Sequence, residues 1–457
     1  MRRIWRVCKW ILLLLFCAAA GVLLLNAFDE PLKPEVTALL QDQGEPLTRQ
    51  QNMYYALMGF SAAAPDMEEA GWNQVQVIDA ALRAGKSWIE ADEQAELPRR
   101  VFVGDRTHLP GYGQKPGELQ GILDFLRLHK QEAEQLLVDN RVILDRYAAL
   151  DHYPHFAITV PPNILMIGEL PWDGIGPARR LWKLEIVGLV ADGHMDDAID
   201  WLQRDTRFWR RLLSERRIGL MGKSIVAYQV ASNFHLASEI VHAYALNGEQ
   251  LTALRGLATP LTVEERSVAA AFKDEFLEKP QSLSLFDDSA EYAKLFGGSK
   301  LRQLDVRLLV FVQKRFYLRN ATLNLFYRKM QQSIDMDNHA CRSFQTDEQS
   351  YAEEPKLSLG MLRNPVGKMI ADIPGPYHHS YTGKMCDLQG FQRMLALQLL
   401  LREHNVADDQ VATFIRDAGA DYTDPFTGAP MQWLPQLRSL SFDAVNERNQ
   451  KMLPWPI

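Results

Sequence analysis

The stretch that most constrains this chain is its first 28 residues. Arg2, Arg3, Arg6 and Lys9 lead into an apolar run, Asn26 is the single polar residue between Ile11 and Phe28, and Asp29 and Glu30 close it. A helix over residues 11–28 is about 27 Å long, close to the roughly 30 Å hydrocarbon core of a bilayer. Basic residues before the run and acidic ones after it predict a cytoplasmic N-terminus and an exported remainder. The small residues Ala18–Gly21 offer a cleavage site, but Val22–Leu25 restart the apolar run and Leu25-Asn26-Ala27 is a poor small-x-small site. Bulky Phe16 before Cys17 does not fit a lipoprotein cleavage box. The expectation is therefore an uncleaved signal-anchor, a single pass through a bacterial inner membrane, with the bulk of the chain in the periplasm. A cleaved signal peptide starts the same way and is the alternative.

The 457 residues are 47% hydrophobic and 23% charged, the balance of a globular protein. The formal charge is −7, and it becomes −11 once the four basic residues ahead of the run are set aside. Such a surface argues against nucleic acid as a partner, because phosphate binding needs a basic face. Cys8 and Cys17 sit at or in the apolar segment, whereas Cys341 and Cys386 lie in the exported part. An oxidising compartment allows these last two to form a disulfide, the alternative being two unpaired thiols.

Apolar residues recur mostly at helical spacing, so the fold class read here is mainly α. Helices are predicted at Glu68–Ala84, across Glu118–Leu150 with a break near Asp139-Asn140, and at Ala178–Ala191, Met195–Glu215 and Arg217–Leu246. Two more are predicted at Gln389–Glu403 and Asp408–Ala418, and Ser439–Phe442 reads as a terminal strand. Three helices joined by short turns between Ala178 and Leu246 pack antiparallel. The expected organisation is a basic flank and anchor at 1–28, a tether at 29–51 and a helical domain at 52–332. A flexible linker at 333–363 and a small, mostly helical C-terminal lobe at 364–457 complete it.

Gly193-His194-Met195-Asp196-Asp197-Ala198-Ile199 resembles the turn and second-helix start of a tetratricopeptide unit, with Trp182 where that repeat carries its aromatic. Ile186 stands where the repeat has a small residue, and no second copy follows at a 34-residue period. The resemblance covers about 35 residues and implies one helical hairpin of this type rather than a solenoid. The family's role, holding peptides or partner proteins on a concave helical face, is what it implies about function. Asp424-Pro425-Phe426-Thr427-Gly428 is similar to a turn of exported or membrane-anchored bacterial proteins, and reads as a rigid turn before a strand.

Chemistry-bearing motifs are few. Asp151-His152 with His155, and His378-His379 with Cys386, hold metal-binding residue types, but each lacks further ligands nearby. Gly222-Lys223-Ser224 lacks the first glycine of a phosphate loop, and Asp335-Met336-Asp337-Asn338 lacks the glutamate of a calcium loop. Glu275, Glu278 and Asp274 lie near Phe272 and Phe276, and Asp173 beside Trp172, with nothing in the sequence to pair them for glycoside hydrolysis. No catalytic residue, cofactor or metal site is therefore assigned. The segment Leu301–Met330 interleaves aromatic residues with Arg307, Lys314, Arg315 and Arg319, and fits either a core helix with a basic rim or contact with anionic headgroups. The function expected is an envelope accessory factor that binds another protein, with a hydrolase acting on a cell-wall or sugar polymer as the alternative.

Overall fold

A computed structural model describes residues 2–42, 47–84, 95, 102, 118–159, 174–280, 282–283, 315–338, 341–343, 359–372, 377–445, 447–450 and 453–457. It is mainly helical. In chain order the helices are α1 (Arg2–Leu25), α2 (Pro34–Gln41), α3 (Met53–Met58), α4 (Met67–Arg83), α5 (Glu118–Leu128), α6 (Lys130–Asp139) and α7 (Arg141–Ala149). There follow α8 (Ile175–Ala191), α9 (Met195–Leu213), α10 (Gly219–Ala243), α11 (Gly248–Leu257), α12 (Val263–Arg266) and α13 (Ala269–Leu277). Then come α14 (Arg319–Asn338), α15 (Pro365–Asp372), α16 (Tyr377–Glu403), α17 (Val411–Asp417) and α18 (Glu447–Gln450). Three short strands, β1 (Gln432–Leu434), β2 (Ser439–Ser441) and β3 (Trp455–Pro456), form one antiparallel sheet.

The chain divides into two compact units. The larger comprises Pro46–Ala271, Asp337–Phe344 and Ser380–Ile457. Its first helices are started by side chains that satisfy otherwise bare N–H groups. Asn52 accepts from Tyr54 N at 3.1 Å and Asp66 from Glu69 N at 3.0 Å. Helices α3 and α4 touch backbone to backbone: a Cβ on Gly59 would strike Met67 O, and one on Gly71 would strike Tyr55 O. The α8–α9 hairpin turns at Asp192-Gly193-His194, as its sequence predicts. Gly193 has φ +83°, and His194 N donates to Leu189 O at 2.9 Å, which closes a Schellman turn. Helix α10 is largely buried, wholly so from Val230 to Ser238, with Val226, Val230, Phe234, Ile240 and Val241 all at 0% exposure. Such a helix needs apolar neighbours on most of its faces, and α9 and β3 are among them.

The terminal part of this unit is more elaborate than the one strand expected. Trp433 pairs with Leu440, and Leu440 with Trp455. Trp455 is buried, stacked on Phe391 with ring centroids 5.3 Å apart. Phe442 meets Phe391 edge-on. Cys341 and Cys386 are joined by a disulfide. Asp424 shapes its turn by accepting from Phe426 N at 2.7 Å, and Gly428 N closes it on Asp424 O at 2.8 Å.

The smaller unit comprises Met1–Glu45, Phe272–Met336 and Gln345–His379. Residues 29–51, expected as a tether, carry α2 with Val36 fully buried. Asp29 caps α14 by accepting from Asn320 N at 2.7 Å and Ala321 N at 3.0 Å. Glu30 accepts from Asn324 Nδ2 at 2.8 Å. Of the expected linker, Ser333–Asn338 continue α14, Cys341–Ser343 and Leu359–Leu362 are single 3-10 turns, and 339–340 and 344–358 lie outside the described residues. The reason is that Ser333 is a buried helix residue, its Oγ returned to Lys329 O at 3.0 Å, so polar sequence here does not mean solvent.

At the centre of the smaller unit is Asn364, buried with φ 51°. Its Oδ1 accepts from Leu318 N at 2.8 Å, its Nδ2 donates to Thr322 Oγ1 at 3.0 Å, and its backbone N donates to Asn26 Oδ1 at 2.7 Å. Asparagine is among the few side chains that enter the left-handed region at modest cost. Asn26 Nδ2 completes the exchange on Leu362 O at 2.8 Å. The lone polar residue of the apolar run is thus the joint between α1 and its own unit. Helix α1 is itself unburied over Cys8–Leu25, with mean hydropathy 2.4, and is the one described helix long and apolar enough to cross a membrane.

Candidate functional site

In the larger unit α5, α6 and α8 enclose a groove of about 540 Å³. Its walls carry Leu123 and Leu126 from α5, Leu137 from α6, and Leu184, Gly188 and Leu189 from α8, with Asp124, Arg127, Glu134 and Glu185 among its charged residues. A Cβ added at Gly188 would meet nothing within 4 Å, so this glycine opens the wall rather than filling a tight contact. An apolar lining with charged groups of both signs suits an amphipathic segment better than a small charged metabolite.

Around α5, α8, α9 and α10 lies a network of buried charge that the sequence reading missed. Lys183 Nζ donates to both Glu118 oxygens at 2.7 Å and to Ser232 Oγ at 2.6 Å. Four residues earlier on α8, Arg179 donates to Asn233 Oδ1 at 2.7 Å and Gln229 O at 2.8 Å, and its Nε lies 3.8 Å from Asp205 Oδ2. Asp205 also accepts from Tyr147 Oη at 2.6 Å and from Asn233 Nδ2 at 2.7 Å, and Trp209 Nε1 donates to Tyr147 Oη at 2.9 Å. Burial pushes the Lys183 ammonium down to about 8 against the pull of Glu118. Burial works to raise Glu118, but Lys183, Arg179 and His235 outweigh it and hold the carboxyl below its usual range. Burial and the Asp205 carboxylate both push Tyr147 upward. These groups spend their hydrogen bonds on one another, which fixes helix register and leaves little for a substrate.

His235 sits at the edge of this network, 3.5 Å from Glu239 and edge-on to Trp455. Burial pushes its imidazole from 6.5 down to about 4, opposed by Glu118 and reinforced by Lys183. Between these values the unfolded chain binds a proton that the folded chain refuses. Stability therefore rises with pH from about 4 to 6.5 and falls on acidification through the same window, by about 3 kcal/mol at the limit. His235→Gln is expected to flatten that limb of the urea-unfolding free energy, and an unaltered slope would remove the assignment.

The residues singled out from sequence fall in separate places. His155 lies 3.5 Å from Glu215, and Asp151 lies between Arg204 and Arg211, so they do not converge. Among the described residues no three of His, Cys, Asp and Glu are placed to hold a metal. Lys223 is no phosphate ligand: its Nζ donates to Leu213 O at 2.7 Å and Glu264 O at 3.0 Å. Asp337 holds Ser267 Oγ at 2.7 Å and Val268 N at 2.9 Å, a long-range cap rather than a calcium ligand. Arg315 is exposed, and Arg319 donates to Pro280 O at 3.0 Å, while Arg307, Lys314 and Asp173 lie outside the described residues. In the smaller unit Glu278 is pushed up to about 8 by burial and by Glu275 and Asp274, with Lys279 opposing. Glu275 is engaged by Lys279 at 3.6 Å.

No protein-family model, curated protein or solved structure matches the chain.

Proposed function

We propose that this chain is a membrane-tethered, periplasmic helical receptor that holds an amphipathic polypeptide segment in the groove between α5, α6 and α8. The observation that carries the reading is the groove itself, a preformed helical channel with leucine walls, mixed charge and an open glycine. A tetratricopeptide-like role for the α8–α9 hairpin is part of the proposal. Trp182 and Ala198 are buried, and Trp182 rests on Trp201 with ring centroids 4.3 Å apart. A retained inner-membrane anchor, with its N-terminus cytoplasmic, is favoured by the use of Asn26, Leu25 O and Phe28 O as bonding partners of residues 362–364. Removing α1 as a leader would discard part of that seat.

Photocrosslinking from position 189 in intact cells tests the groove. A defined protein adduct is expected from the otherwise native chain, and Gly188→Leu is expected to reduce it roughly tenfold by filling the groove. Gly121→Leu is the control, since a Cβ there also meets nothing within 4 Å but Gly121 does not line the groove. No adduct, or equal loss in both variants, would sink the reading.

The hydrolase alternative has one observation in its favour, the raised carboxyl of Glu278. A two-carboxylate mechanism needs a second acid free to act. Glu275 is already paired with Lys279, so this remains the weaker reading.

A further inference from the structure

Residues 362–364 are pinned to the exit of α1. Arg363 Nη1 donates to Leu25 O at 2.8 Å and its Nη2 to Phe28 O at 3.3 Å, beside the paired Asn26 and Asn364. Three large apolar side chains stay in the open around this joint: Phe28 at 75% exposure, Leu362 at 40% and Met369 at 60%. Helix α15 explains the last of these, because it turns Val366, Ile370 and Ala371 inward and leaves Met369 outward. In water such exposure is unfavourable, and a cluster of it at the end of an apolar helix marks a surface for something apolar.

Cations border the same joint. Arg328 is exposed, and it and Arg363 lie close enough to Lys368 to add to the effect of burial in lowering that ammonium's pKa. The acids nearby are largely committed elsewhere. Asp29 caps α14, Asp372 pairs with Lys329 and also partly offsets the cations around Lys368, and Glu30 accepts from Asn324 while lying 3.8 Å from Arg363. Arg328 is left as exposed positive charge, and the half-buried Lys368 donates to Gly360 O. This set differs from the basic residues picked out in the sequence.

We propose that Phe28, Leu362 and Met369, with Arg328 and Lys368, form a collar, fastened to α1 by Arg363, that docks on the bilayer α1 spans, apolar side chains at the acyl boundary and cations on the phosphates of anionic phospholipids. The inference rests on the reading of α1 as a retained anchor. A lipid surface is the occupant because the collar is continuous with that anchor through Leu25 and Phe28. It also combines exposed apolar groups with cations, the pairing that holds interfacial elements on anionic lipid. The collar sets the smaller unit down on the membrane.

The test uses the full-length chain with Cys8→Ser and Cys17→Ser, leaving the Cys341–Cys386 disulfide in place. Met369→Cys carries an environment-sensitive fluorophore, and the protein is reconstituted in phosphatidylcholine vesicles with or without phosphatidylglycerol. Spin-labelled lipids are expected to quench the probe roughly twofold in the anionic vesicles, and less when Arg328→Glu and Lys368→Glu are added or salt is raised. Alkaline carbonate extraction is run on the same samples. Protein that resists extraction but shows an unquenched probe overturns the collar and spares the anchor. Protein that is stripped from the vesicles overturns the anchor reading, and the collar with it.

Discussion

Asp205→Ala is expected to cost about 3–5 kcal/mol of stability, because it strands a buried guanidinium. Asp205 is 3% exposed and serves three partners: the Tyr147 hydroxyl, the Asn233 amide and, at 3.8 Å, the Arg179 guanidinium. Truncation takes the acceptor from Tyr147, leaves the Asn233 amide with Thr206 Oγ1 at 3.2 Å, and removes the carboxylate nearest Arg179. Arg179 keeps Gln229 O and Asn233 Oδ1, which share its donors but do not neutralise it. Asp205→Asn retains an acceptor and a similar volume, so it is expected to lose less, about 1–3 kcal/mol. Urea titrations followed by circular dichroism give both numbers. A loss below about 1 kcal/mol for the alanine variant would show that the network is not held together at this carboxylate.

The second large effect is expected from the disulfide. Cys341 and Cys386 are 45 residues apart, and closing a loop of that size stabilises by about 4 kcal/mol in the chain-entropy model. Reductant is expected to lower the urea midpoint of the native chain by a corresponding amount and to leave the Cys341→Ser/Cys386→Ser double variant unmoved. The same bond reports on compartment, since glutathione keeps such pairs reduced in a cytosol. Thiol labelling of denatured protein taken from cells without reductant is expected to modify Cys8 and Cys17 alone. Labelling of all four would remove the bridge, and with it the support it lends to an exported placement.

What the sequence made legible is what is written locally. The apolar run of α1 and the Gly193 turn of the α8–α9 hairpin are set by neighbours a few residues away, and the structure has the helix and the turn at those residues. The Lys183–Glu118 pair was not legible. In one sequence Arg179 and Lys183, four apart on α8, look like an ordinary solvated stripe, and only α5 and α10 packing over them make them core. The same holds for Ser333 and Asp337, whose polarity read as linker while their hydrogen bonds close a helix end. The groove was likewise hidden, because its walls come from two chain segments separated by more than a helix-turn-helix. A glycine such as Gly188 reads as helix weakness until the neighbouring helices show that it faces open space.

The Asn26–Asn364 joint has a consequence for the order in which the protein is made. Asn26 is made well before its partners: its acceptor Leu362 O is 336 residues further on and its donor Asn364 N is 338. A contact so distant along the chain is slow to form and waits on everything between. Until then Asn26 has only the bond that its Nδ2 makes to Val22 O at 2.9 Å within its own helix. A chain cut short before residue 362 keeps the local Asn26–Val22 bond and lacks both long-range partners of the joint.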